Sequence, residues 1–283
     1  MVDLVGPIAA LPVPLSRKLL LLREKAAEGG RMERLVRWAE QHPAIATTDD
    51  WCARAWWGAA AGEVVRDHLY DPERRAAALD LVDVADFAPL DEARRQGGVI
   101  VVAAHLGPPK FLMNCLLERR LPLLVWTNTR DMPAWLADRG GAFLDPLEPD
   151  ERGALLVRSA LHLRRGGVLL GAADQATGDR TVELERLGMR WRFSLGLPAL
   201  ARRLDVPAVI ALALWRGERV RIECRRLQPP DAALAEPDWH RAWIESSWDA
   251  VEPIVRDEPE NLRFLRWAVD RLARPWEREP PAG

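Results

Sequence analysis

The chain has 283 residues, 48% of them hydrophobic, so it can bury one sizeable core and is short for two large domains. A formal net charge of −2 excludes a global basic field that would recruit nucleic acid. Three scattered cysteines, Cys52, Cys115 and Cys224, fit neither a zinc pattern nor a CxxC pair. An odd, sparse count suits a reducing cytoplasm, and neither a metal nor a cofactor is expected.

The opening MVDLVGPIAALPVPLSRKLLLL lacks a basic segment ahead of its apolar stretch, and Pro7, Pro12 and Pro14 interrupt it. It therefore reads as neither a signal peptide nor a membrane span. Leading helices are expected over about residues 15–82, with one face at Leu19, Leu22, Leu35 and Trp38. Thr48-Asp49-Asp50 is a candidate cap for a helix from about Trp51 to about His68, and Asp71-Pro72 opens another.

The character changes at Gly97, where an α/β core over about 97–227 begins. GGVIVVAAH is a glycine-led, β-branched run and reads as a buried strand. Pro108 and Pro109 suit the first turn of the helix KFLMNCLLERR. Strands follow at LPLLVW, GAFLDP and GGVLLGAADQ, with helices between them, then a hairpin turning near Gly188 and a strand pair around Gly217. Closing helices occupy about 238–273. The expected fold is a single α/β domain over residues 1–283, with a mixed, mostly parallel central sheet covered by helices.

His105 ends the first strand, at the sheet edge where open α/β folds bind ligands. The following turn leads into a helix N-terminus, so a general base would lie beside backbone N–H groups able to hold an oxyanion. The alternative is a histidine that merely caps a strand. Asp174, at the end of another strand, is either a second site residue or a solvated loop carboxylate.

The block GGVIVVAAHLGPPKF resembles the glycine-led strand and H-x4-[D/E] motif of the lysophospholipid acyltransferase superfamily, and within it the lipid A late acyltransferase family. Leu106 and Gly107 match the apolar residue and glycine after the histidine. Three further blocks are similar. GGVLLGAADQ ends in Asp174-Gln175. A later segment matches at Gly196, Leu200, Ala201, Arg203, Pro207 and Val209, and the last at Pro259, Glu260 and Trp267.

The resemblance implies acyl transfer from acyl carrier protein or coenzyme A to a hydroxyl or amine. His105 would be the base, with Lys110 and Asp174 beside it in catalytic roles. Gly107, Phe111, Trp126, Arg130, Gln175 and Gly196 would bind substrate, with Phe111 and Leu112 as an apolar wall.

Three features depart from the pattern. Lys110 stands where the family carries an acid, and an ammonium cannot accept a hydrogen bond from the imidazole. Asp174 is the carboxylate nominated to replace that acid. Arg130 falls two or three residues after the family's arginine position, and the membrane anchor of lipid A enzymes is missing. These departures point to a carrier-bound or soluble acceptor other than lipid A, in a pathway such as natural-product assembly. A noncatalytic relative that binds a ligand or partner is the alternative. The expected location is cytoplasmic, with a peripheral contact on the inner membrane through SRKLLLLREKA as a variant.

Overall fold

A computed structural model describes residues 36–37, 39–41, 43, 50–127, 132–146, 148–174, 180–186 and 189–262. The expectations for Leu19, Leu22, Leu35, Trp38, Thr48, Asp49, Arg130, Gln175, Gly188 and Trp267 lie outside them, as does SRKLLLLREKA.

The described elements run α1 (Trp51–Leu69), α2 (Arg75–Leu79), β1 (Val82–Ala85), α3 (Ala88–Arg94), β2 (Val99–Ala103), α4 (Lys110–Glu118), β3 (Leu123–Trp126) and β4 (Gly141–Leu144). They continue with α5 (Pro149–Arg164), β5 (Val168–Ala172), β6 (Thr181–Arg186), β7 (Met189–Ser194), α6 (Gly196–Leu204), β8 (Ala208–Arg216), β9 (Arg219–Leu227), α7 (Glu236–Asp249) and α8 (Glu252–Asp257). Short 3-10 turns span Ala134–Arg139 and Pro259–Asn261.

Seven strands form one sheet in the order β1-β9-β8-β2-β5-β3-β4, and β6 and β7 pair as a separate hairpin. Only β8 and β9 run antiparallel within the large sheet, so it is mixed and mostly parallel, as the strand pattern predicts. The central strands read as continuous apolar runs because helices cover both faces. Val99 and Val101 join Val209, Ala211, Ala213 and the α4 side chains in one core layer. Ile100 and Val102 join Ile210, Leu212, Leu214 and α6 in the other. This is the period-two alternation of a strand buried twice.

The sequence reading missed β1 and α3, and the physical reason is plain. VDVA offers four residues with a charge among them, and it exists as a strand because it pairs along β9 at the sheet edge. Asp50 occupies the N-cap position of α1, but its side chain makes no capping bond.

Several tryptophans among the described residues act as packing residues. Trp51, Trp215 and Trp243 are among the largest fully buried side chains. Trp57 meets Trp215 edge-on at 5.2 Å, a geometry favoured by the ring quadrupole.

The chain closes on itself through Asn261, which is fully buried. Strand β8 runs beyond the end of β2, which pairs with it only at Ala208, Val209 and Ile210. Asn261 covers that overhang. Its Oδ1 accepts the Trp215 backbone N–H at 2.7 Å, and its Nδ2 donates to Glu258 Oε2 at 2.9 Å. The Asn261 carbonyl accepts the Gly107 N–H at 2.6 Å. One buried residue thus ties the segment after α8 to the turn behind His105. Against it, α1 approaches so closely that a Cβ on Gly58 would lie 1.6 Å from the Glu260 carbonyl oxygen.

Candidate functional site

Strands β2 and β5 are in-register neighbours, with Ala103 opposite Ala172. Two residues further on, at the same sheet edge, stand His105 and Asp174. The chain leaves β2 through α4 and lands on β3, beyond β5. It leaves β5 through the β6–β7 hairpin and α6 and lands on β8, beyond β2. The two connections depart in opposite directions, so a crevice opens between the ends of β2 and β5. This is the switch point at which open α/β sheets bind ligands.

Asp174 grips His105 twice. Its Oδ1 lies 2.8 Å from the imidazole Nδ1, and its Oδ2 accepts the His105 backbone N–H at 2.6 Å. The second bond fixes the carboxylate against the main chain, so the first fixes the ring. With Nδ1–H donated to the carboxylate, neutral imidazole carries its lone pair on Nε2, on the far side of the ring. The Asp174 side chain is only 10% exposed while that of His105 is 33% exposed, so the carboxylate lies beneath and the imidazole reaches outward. The arrangement is a base oriented by a buried acid, able to take a proton from a hydroxyl and hold the imidazolium that forms.

The carboxylate arrives from β5, not from the position five residues after the histidine. There Lys110 begins α4. Its Nζ donates to Thr127 Oγ1 at 3.3 Å and lies 5.8 Å from the Tyr70 ring centroid. Since Asp174 already holds Nδ1, Lys110→Glu should not raise function above that of the unmodified chain. Activity or complementation assays of Lys110→Glu and Lys110→Ala check this. A gain in Lys110→Glu would mean that the acid is wanted at that position after all.

At Gly107 the backbone turn after His105 departs from the expectation of an open N–H donor. Gly107 adopts φ +54, and its N–H is spent on the Asn261 carbonyl. Pro108 and Pro109 have no N–H, and the Phe111 N–H bonds the Pro108 carbonyl at 3.0 Å. Gly107 therefore offers no donor to an oxyanion. Its role is steric, because a Cβ there would lie 2.1 Å from the Ala213 carbonyl oxygen.

Phe111 and Leu112 form no wall of the crevice. They are 0% and 1% exposed and belong to the core layer beneath α4. An apolar helix start points its large side chains at the sheet, which the sequence pattern cannot distinguish from a pocket wall. Trp126 and Gly196 do meet each other. The indole packs where a Cβ on Gly196 would be 3.0 Å from the ring, and its Nε1 donates to Ser159 at 2.9 Å.

Two described cavities bear on the surroundings of the pair, one remote from it and one beside it. A groove of about 950 Å³ lies at the opposite sheet edge between Leu117, Trp135 and Arg139. The cavity beside Asp174 holds about 10 Å³, room for roughly one water, and is lined mainly by apolar residues such as Val102, Phe193 and Trp248.

Among the described residues no cluster of His, Cys, Asp and Glu could hold a metal. Burial pushes the thiols of Cys115 and Cys224 up to about 12 and raises that of Cys52. The thiolate is the reactive form. In the folded chain at pH 8 all three should therefore react with a disulfide reagent far more slowly than after unfolding in denaturant. Rapid stoichiometric labelling of the native chain would contradict this.

Sequence reasoning passed over Asn261. The Pro-Glu that precedes it carried the family likeness, and nothing in the pattern announced that the next side chain caps a strand edge.

No protein-family model matches the chain. It is 26% identical, over 228 residues, to a Salmonella typhi protein named as the Vi polysaccharide export protein VexE. The match covers 76% of this chain and 33% of that protein, so the chain spans about a third of the relative's length. This finding overturns the expected function. A likeness to a polysaccharide export protein points away from acyl transfer out of acyl carrier protein or coenzyme A.

Proposed function

We propose that the chain serves the export of a polysaccharide and that the His105–Asp174 pair acts on a hydroxyl of the glycan. The observation that carries this is the doubly anchored carboxylate, which leaves Nε2 as the outward nitrogen at the switch point of the sheet. The relative's printed name supplies the substrate class. Saccharides are dense in hydroxyls, and a neutral imidazole oriented by a carboxylate is suited to accept a proton from one of them. The proton passes to Nε2, Nδ1–H stays on Asp174, and the positive ring is held by the buried carboxylate. The hydroxyl oxygen gains the electron pair and becomes nucleophilic.

The test is genetic and chemical. A strain lacking the gene is complemented with the intact gene or with His105→Ala, and polysaccharide is measured inside the cell and at its surface. The intact gene is expected to restore surface polymer, and His105→Ala to fail at equal protein level. Full restoration by His105→Ala would remove the pair from the function. An unchanged surface polymer in the deletion strain would remove polysaccharide export itself.

A further inference from the structure

Exposed aliphatic side chains are ordinary when scattered, but here they gather on one helix. Among the described residues four large hydrophobics are exposed. Three of them, Leu156 at 44%, Val157 at 61% and Leu161 at 46%, belong to α5. The half-buried Ala160 lies between them along the helix. The other side of α5 is spent on the fold. Leu155, Ser159 and Leu163, spaced four apart, are buried against the sheet, and Ser159 accepts the Trp126 indole N–H. Folding therefore explains one face of α5 and leaves the other apolar and open.

Charge says what the open face meets. From Gly153 to Gly167 the sequence is GALLVRSALHLRRGG, with exposed Arg158, Arg164 and Arg165 and no carboxylate. The chain as a whole carries −2, so this run is not a sample of an evenly basic protein. Pairing with a second copy centred on this stretch would bring arginines together, since the acids of the helix, Asp150 and Glu151, lie in its first turn and outside the stretch. An anionic lipid surface satisfies both features. Short aliphatic side chains enter the boundary between headgroups and acyl chains, while long arginines run back to the phosphates.

We propose that the exposed face of α5 is a docking surface for an anionic membrane. No helix among the described residues is long and apolar enough to cross a bilayer. The contact proposed for α5 is an interfacial one, made by side chains on one face of a helix lying on the surface. Helix α5 leads directly into β5, at whose far end Asp174 grips His105. Docking by α5 would thus hold the sheet carrying the His105–Asp174 pair at a fixed height above the lipid. The proposal is independent of the polysaccharide reading, because it rests on α5 alone.

The full chain is sedimented with vesicles of phosphatidylcholine alone or mixed with phosphatidylglycerol. Binding is expected only to the mixed vesicles and to weaken with salt. Replacing Leu156, Val157 and Leu161 together by serine should lower the vesicle-bound fraction about tenfold, and replacing Arg158, Arg164 and Arg165 together by glutamine should remove the preference for phosphatidylglycerol. The substituted side chains are exposed, so thermal melting and circular dichroism should stay close to those of the parent chain. Vesicle binding unchanged in the serine variant would overturn the proposal. So would light scattering that shows a dimer in the parent chain and a monomer in the serine variant, since a second copy would then cover the face.

Discussion

Asp174→Asn is expected to reduce function by on the order of a thousandfold while leaving the fold intact. The carboxamide can still accept the His105 backbone N–H through its oxygen. Its NH2 group, however, would donate to the imidazole Nδ1 where the carboxylate now accepts at 2.8 Å. The ring would then carry its proton on Nε2 and could not take another from a hydroxyl. Nitrogen-15 spectra of the labelled chain would show the exchange, with the His105 proton moving from Nδ1 to Nε2. His105 and Asp174 act as one unit, so the double variant His105→Ala, Asp174→Ala should be no worse than His105→Ala alone. A double variant clearly weaker than either single one would mean that Asp174 has work apart from the histidine.

The second large effect is on stability. Gly107→Ala should cost roughly 3 kcal/mol, from about 1–2 kcal/mol for an L residue held in the left-handed region and ~1–3 kcal/mol for overpacking. The backbone at Gly107 stands at φ +54, and the new methyl would sit 2.1 Å from a main-chain oxygen that belongs to β8 and has little room to retreat. The Gly107–Asn261 bond, the bond of Asn261 to Trp215 and the placement of His105 would shift together. A melting temperature lower by on the order of 10 °C is expected, with loss of function in the molecules that remain folded. By contrast Gly97→Ala meets nothing within 4 Å and suffers only from its φ of +128, so it separates backbone strain from collision. If the two variants melt alike, the collision at Gly107 is relieved by movement that costs little.

Much of this arrangement was legible in the order of residues. Glycine-led apolar runs ending at His105 and Asp174 are the marks of parallel strands covered on both sides, and the sheet holds both. The replacement of the motif acid by Lys110 required another carboxylate beside the histidine, and Asp174 is the one in contact. What the sequence could not supply was strand order. Nothing in the chain says that β5 lies between β2 and β3, yet only that order brings residue 174 beside residue 105. The reading of Phe111 as a pocket wall failed for a related reason. Apolar side chains on a helix start are equally good at lining a crevice and at sealing a core, and the face is decided by how α4 sits on the sheet. The likeness to an acyltransferase motif, in turn, carried chemistry with it that the comparison with a polysaccharide export protein does not support.

The central claim is that Nε2 of His105 meets a glycan hydroxyl. The most direct measurement is a titration of the histidine-labelled chain with oligosaccharide fragments of the polymer made by the same cell, followed in nitrogen-15 spectra. The account predicts that the Nε2 resonance of His105 moves on binding, that its Nδ1 resonance stays tied to Asp174, and that Asp174→Asn abolishes the Nε2 response. An Nε2 resonance that stays still while the oligosaccharide saturates the chain would contradict it.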